Sequence, residues 1–155
     1  MKKPDINSLL NADNVNGAII ELDNYISALC SYGDELDRLT ESQKMFYFNQ
    51  VVEREVNNGG FDQYFYNSSG AFAHQTVESL TAIGAESTAG ILIHAIMCFP
   101  GGKVPEDDEA RRELLGKMSQ DNLDVLEQLD QSFFAYEDDL NELNMAYVRR
   151  NREFF

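Results

Sequence analysis

Two histidines, two cysteines and a scattering of carboxylates are the residues of this chain with the means to do chemistry. His74 and His94 would have to converge with carboxylates to hold a metal. His74 has no His or Cys at i+3 or i+4, the spacing by which one helix presents two ligands, and His94 has Cys98 at i+4 but no third ligand in register with the pair, so both read as ordinary surface or core histidines. No metal is expected. Cys30 and Cys98 lie in apolar helical contexts without a CxxC, which predicts free, buried thiols in a reducing compartment. Glu53, Glu55 and Asp62 would make an acid/base set if they faced one another, but three carboxylates near a turn mean little in so acidic a chain. No P-loop, GxSxG or HExxH is present, and Gly59-Gly60 lacks the preceding strand of a dinucleotide fingerprint. The expectation is a protein with no catalytic residues and no cofactor, not an enzyme.

Charge is the outlying property. Among 155 residues, 27 are acidic and 12 basic, for a net charge of −15 and a pI near 4.3. Such a chain repels nucleic acid and anionic membrane, and a partner steered to it by charge should be basic. The acids are uneven. From Ser119 to Val148 there is no Lys or Arg, while Asp121, Asp124, Glu127, Asp130, Glu137, Asp138, Asp139 and Glu142 contribute eight negative charges. Residues 105–118 add five acids, Asp107 and Asp108 among them, against three bases. Asp121, Asp124, Glu127 and Asp130 recur every third residue, which places successive members side by side on a helix, with Cβ atoms about 5–6 Å apart. Duplex DNA carries one charge per roughly 1.7 Å of axis, so fifteen charges match about 25 Å of duplex, on a chain on the order of 40 Å across.

The elements that must position these residues are helical. At 43% hydrophobic, with ten Phe and seven Tyr, the chain can bury a real core as one domain. Residues 1–12 read as a polar N-terminal arm with no apolar signal segment. The longest near-apolar run, Gly90–Phe99, is too short to span a membrane. A cytoplasmic protein is expected, with the Asn67-Ser68-Ser69 sequon idle.

Apolar residues at three- and four-residue steps predict a helix from Val15 to about Cys30. Thr40 with Gln43 forms a capping box for a helix that presents Met45, Phe48, Val52 and Val56 and stops at Asn58-Gly59. Phe72, Thr76, Val77, Leu80 and Ile83 predict another, closed by Gly84. Glu86–Phe99 is apolar nearly all round and is expected at the centre of the core. Pro105 suits N1 of a helix whose first turn holds Glu106, Asp107, Asp108 and Glu109. Ser119 caps the next, with Leu123, Leu126, Leu129 and Phe133 inward, and a last helix begins near Tyr136 or Glu137. With no alternating run and no repeat, the fold class is all-α, a single compact domain of roughly seven to eight helices.

The corner at residues 57–70 organises this arrangement. Gly59 is suited to the left-handed end of the first helix. Phe61, Tyr64 and Phe65 share one face of a short helix, and Asn67-Ser68-Ser69-Gly70 supplies a stop and a fresh N-cap. Aromatics so flanked plug a core; a ligand pocket lined by Asn58, Asp62, Gln63 and Tyr64 is the alternative.

Asn57-Asn58-Gly59-Gly60-Phe61-Asp62-Gln63-Tyr64-Phe65-Tyr66-Asn67-Ser68-Ser69-Gly70, followed by Leu80-Thr81-Ala82-Ile83-Gly84-Ala85, resembles the signature of the acidic bacterial DNA-mimic protein family. The likeness runs from Leu36-Asp37-Arg38-Leu39-Thr40 to Phe154-Phe155. It implies a cytoplasmic, all-helical homodimer that presents carboxylates in place of DNA phosphates. The implied partner is a basic helix-turn-helix transcription regulator, drawn off its operator, with no direct nucleic acid contact. The signature residues are the corner, so they speak for fold rather than for mimicry. Charge density alone assigns the binding face, to Asp107, Asp108, Asp121, Asp124, Glu127, Asp130, Glu137, Asp138, Asp139 and Glu142. Two other readings stay open: an immunity- or antitoxin-like inhibitor of a basic toxin such as a nuclease, and a small-molecule enzyme or sensor using residues 57–70.

Overall fold

Capping chemistry sets most of the helix starts in the computed structural model, which describes residues 1–155. Side chains of Asp5, Asn14, Thr40, Asp107, Ser119 and Asp139 accept backbone N–H bonds at the first turns of α1 (Ile6–Leu10), α2 (Val15–Leu29), α3 (Glu41–Tyr66), α6 (Asp108–Gly116), α7 (Gln120–Phe134) and α8 (Leu140–Arg150). With α4 (Ala73–Ala82) and α5 (Glu86–Ile96), these make eight α-helices, joined by short 3-10 turns and no strand. The all-α expectation and the helix count hold. No helix is long and apolar enough to cross a membrane.

The centre of the molecule is α3, not the Glu86–Phe99 segment. The long helix packs against α2, α4, α6, α7 and α8, with Phe46, Val52, Val56, Phe61, Tyr64 and Phe65 fully buried. In α5, by contrast, Ile93 is 43% exposed, and Met97 just beyond it 66%. An apolar composition measures the tendency to be buried, but a helix on the edge of a bundle has a second face with nothing to bury against.

Two apolar clusters divide the core. The first half of α3 packs Phe46, Tyr47, Phe48 and Val51 with α1, α2 and α8, and its second half joins α4, α5, α6 and α7. Where the clusters meet sits a buried polar knot. Ser79 Oγ donates to Asn49 Oδ1 at 2.7 Å, Asn49 Nδ2 to Asn144 Oδ1 at 3.1 Å, and Asn144 Nδ2 to the Leu140 carbonyl at 2.9 Å. Its members satisfy one another, as buried polar groups must.

Four local expectations are corrected. The supposed polar arm contains α1, whose Leu9 and Leu10 are buried; a five-residue stripe is too short to read by periodicity. The 105–118 helix begins at Asp108 rather than at Pro105, because the Pro105 and Glu106 carbonyls turn inward to accept from Arg111. The last helix begins at Leu140, since Tyr136 takes φ 47° and Asp139 supplies the cap. The α4 first turn has no side-chain cap from the Asn67-Ser68-Ser69-Gly70 stretch expected to supply one, and Asn67 donates to Glu55 at 2.8 Å.

The capping box at Thr40 forms as read. Gln43 N–H donates to Thr40 Oγ1 at 3.2 Å and Thr40 N–H to Gln43 Oε1 at 3.0 Å, while Thr40 Oγ1 donates to the Phe154 carbonyl at 3.0 Å. One side chain thus starts α3 and holds the far terminus. Thr40→Ala is expected to lower folding stability by about 1–2 kcal/mol in urea unfolding.

Candidate functional site

The corner is built from two glycines and a cap borrowed from another helix. Within α3, Gly59 (φ −157°) and Gly60 (φ 72°, ψ −175°) break the helical run, so the left-handed position is Gly60 and not Gly59 as the sequence suggested. The helix restarts at Phe61, whose N–H donates to Asp130 Oδ1 at 2.7 Å. A Cβ on Gly60 would overlap that same carboxylate. Across the kink, Asn58 Nδ2 donates to Gln63 Oε1 at 3.0 Å, and Gln63 Nε2 and Asn67 Nδ2 both donate to Glu55 Oε2, at 3.0 and 2.8 Å. Glu55 is the hub, and the signature amides are its clasp.

Arg111 closes the corner from below. It is fully buried, and all its donors are used: Nε to the Phe65 carbonyl at 2.6 Å, Nη1 to Pro105 and Glu106 at 3.0 and 3.1 Å, and Nη2 to Asn67 and Asp108 Oδ1 at 2.8 and 2.6 Å. A cation at the carbonyl end of a helix is where the dipole favours one. Gly70 must be glycine because a Cβ there would lie 2.5 Å from Arg111 Nε. Arg112 donates to the Tyr66 carbonyl at 2.8 Å and stacks over the Tyr66 ring.

Of the pocket envisaged at Asn58, Asp62, Gln63 and Tyr64, only Asn58 and Gln63 line an open cleft, with Arg54, Glu55 and Asn57. Tyr64 is fully buried, its hydroxyl donating to Thr76 at 3.2 Å, and Asp62 is exposed. Phe61, Tyr64, Phe65, Phe99 and Phe133 pack edge to face or offset around one another, which is the core-plug reading. A cleft of about 740 Å³ opens beside the corner, with Tyr32, Arg54, Glu55, Ser68 and Arg112 on its walls. Glu53, Glu55 and Asp62 do not converge: Glu53 faces Tyr136, Glu55 holds the amides, and Asp62 is exposed. His74 Nε2 accepts the Val104 N–H, His94 is exposed, and Cys30 and Cys98 are free and buried.

The ten carboxylates assigned from charge density divide by what they hold. Asp107 and Asp139 cap their own helices. Asp138 Oδ2 accepts from Thr88 N–H and Oγ1, both at 2.8 Å, which caps α5 from a distance, and Glu137 accepts from Ser87. Asp108 pairs with Arg111, and Asp130 caps the restarted end of α3. Asp121, Asp124, Glu127 and Glu142 are exposed and tied to no other element. The three-residue ladder on α7 does not form one face. Each step of three falls about 60° short of a full turn, so Asp130 comes round to the α3 side and is half-buried. None of the eight carboxylates between 119 and 148 has a Lys, Arg or His partner; the ion pairs of the chain lie at Asp23, Glu35, Glu41, Asp108 and Glu113.

Burial pushes the Asp130 carboxyl up, against the Phe61 N–H, and Glu127 and Asp62 push it further. Burial also raises Glu53 and Asp23, opposed by the Tyr136 hydroxyl and by Arg54 respectively. An acid whose folded pKa exceeds its unfolded value binds its proton more tightly when folded, so its ionisation at neutral pH destabilises the fold. Lowering the pH from 7 toward the ordinary carboxylate range should therefore raise the urea midpoint. The combined Asp23→Asn, Glu53→Gln and Asp130→Asn variant should flatten the rise, and a wild-type midpoint that falls from pH 7 to 5 would contradict the assignment.

Sequence reasoning missed Arg111, the role of Glu55 as acceptor for Gln63 and Asn67, and the capping roles of Asp130 and Asp138. No curated protein and no solved structure matches the chain. The profile of the DMP19-like protein family matches residues 37–151, a span that begins just before the Thr40 capping box and contains the corner, Arg111 and the acidic helices. By that match the chain belongs to the DMP19-like protein family.

Proposed function

We propose that this protein is an acidic DNA mimic, binding the DNA-reading surface of a basic helix-turn-helix regulator and competing with its operator, without catalysis. The observation that carries the reading is the set of eight carboxylates over residues 119–148 with no basic residue in the segment and no ion-pair partner elsewhere in the fold. Fixed charges of one sign that the fold leaves uncompensated are what a surface lined with Lys and Arg recognises. Family membership and the resemblance of the 57–70 signature to acidic mimics support the same reading; the reading includes a homodimer, which would present two such faces.

The geometry dictates which charges to remove in a test. Asp138 and Asp139 are poor choices because they cap α5 and α8. Asp121→Asn, Asp124→Asn, Glu127→Gln and Glu142→Gln together leave every inter-helix bond in place. Purified wild-type protein should retain a basic DNA-binding protein from native lysate and release it to duplex DNA or salt. The fourfold variant should bind that protein about tenfold more weakly at low salt. Undiminished binding by the variant would overturn the assignment of the face, and capture of a basic nuclease unaffected by duplex DNA would replace mimicry with an immunity function.

A further inference from the structure

A shallow, open groove runs between α2, α3 and the first turn of α8. Its walls include Asn16, Ile19 and Asp23 of α2, Gln50 and Glu53 of α3, and Asn141 of α8, around about 190 Å³. Small-molecule sites occupy roughly 300–1,000 Å³, so this one is sized for a single side chain.

Two of its groups lack what they need. Gln50 is 7% exposed, and its Nε2 is the one buried side-chain nitrogen or oxygen in the chain without a hydrogen-bond partner. Buried polar groups are otherwise satisfied, so this donor calls for an acceptor. Glu53 Oε1 accepts the Tyr136 hydroxyl at 2.8 Å, and Tyr136 in turn accepts from Asn57 Nδ2 at 2.6 Å. No base pairs with Glu53, because Arg54 beside it is committed to Asp23 at 2.7 Å. Asp23, Glu53 and Arg54 thus leave one uncompensated negative charge.

Gln50 and Glu53 stand three residues apart on one helix, with Cβ atoms about 5–6 Å apart. A residue that donates from a cationic side chain and accepts through its own main-chain carbonyl meets both needs at once. Arginine fits better than lysine. Its flat fork of donors can also reach the amide oxygens on the walls, and it is more weakly hydrated than an ammonium. The terminal torsion of a Gln side chain is broad, which lets the Gln50 amide turn toward an incoming carbonyl.

We propose that this groove seats one arginine residue of the bound protein, its guanidinium on the Glu53 carboxylate and its main-chain carbonyl on the Gln50 amide. The proposal rests on the mimic reading for its partner and deepens it. Carboxylates on an open helix face attract any basic surface, whereas a groove that takes one fork-shaped cation selects among basic surfaces.

The test uses Nα-acetyl-arginine N-methylamide as probe, with its lysine and citrulline counterparts, titrated into the full chain while side-chain amide NMR signals are followed. The arginine probe should move the Gln50, Asn57 and Asn141 signals, the citrulline probe should not, and Glu53→Gln should weaken binding about tenfold. Gln50→Leu, which strands no polar atom, should weaken it about two- to tenfold and keeps the proposal testable should Glu53→Gln fail to fold. Unmoved groove signals, or an equal response to the lysine probe, would overturn it. Lysate capture separates it from the mimic reading. A DNA-binding protein retained equally by wild type and Glu53→Gln would sink the groove and spare mimicry; probe binding without capture of any DNA-binding protein would do the reverse.

Discussion

Arg111→Met is expected to lower folding stability by about 3–5 kcal/mol, the range for removing one partner of a buried charged network. For a chain of this size that corresponds to a fall in Tm of roughly 6–20 °C. The size follows from what is stranded. Five donors meet the carbonyls of Phe65, Asn67, Pro105 and Glu106 and the Asp108 carboxylate. Methionine fills much of the space and satisfies none of the carbonyls, each of which costs about 1–3 kcal/mol if left buried and unpaired. Asp108 is half-buried and regains water, which keeps the total below the sum. Arg111→Lys should recover less than half, since an ammonium has three donors on a flexible stem and cannot span a planar set of five acceptors. Urea unfolding followed by circular dichroism is the measurement. A loss under about 1 kcal/mol would mean that water takes the place of the guanidinium.

Gly60→Ala should cost about 2–4 kcal/mol, combining a backbone conformation that only glycine adopts readily with loss of the cap on Phe61. At φ 72° and ψ −175° a Cβ is strained wherever it points, and here it points into Asp130. A double-mutant cycle separates the two contributions. Asp130→Ala alone should cost about 1 kcal/mol, and close to nothing in the Gly60→Ala background, where the cap is already displaced. A coupling energy of about 1 kcal/mol in that cycle identifies the clash with Asp130; strict additivity would show that strain alone makes the glycine necessary.

These two residues also mark where the sequence could be read and where it could not. Thr40 with Gln43 and Ser119 with Asn122 are legible because cap and target lie within one turn. Asp130 and Phe61 are 69 positions apart, and Arg111 and Phe65 are 46 apart. Nothing near Arg111, set among Glu109, Arg112 and Glu113, distinguishes a buried guanidinium from a solvated one. Gly70 is needed to make room for the guanidinium, but in the sequence it reads as an ordinary stop-and-cap glycine. The exposed side of α5 at Ile93 was illegible for a different reason: composition reports how apolar a helix is, and only topology decides how many neighbours it has. The acidic segment was half legible. The count of charges came straight from the residues, but the division between carboxylates that hold helices and carboxylates left free required the packing.

That division bears on how the protein can change over generations. Asp5, Asp107, Asp130, Asp138 and Asp139 are anchored by backbone N–H groups, and their replacement is opposed whatever the protein binds. Asp121, Asp124, Glu127 and Glu142 answer to no such constraint. Under the proposed mimicry, a lineage no longer selected for binding a basic protein could shed the second set and keep the first, drifting toward neutrality while the helices stay where they are. Within such a lineage, ancestry would be recorded at the corner and the caps, and occupation at the four free carboxylates.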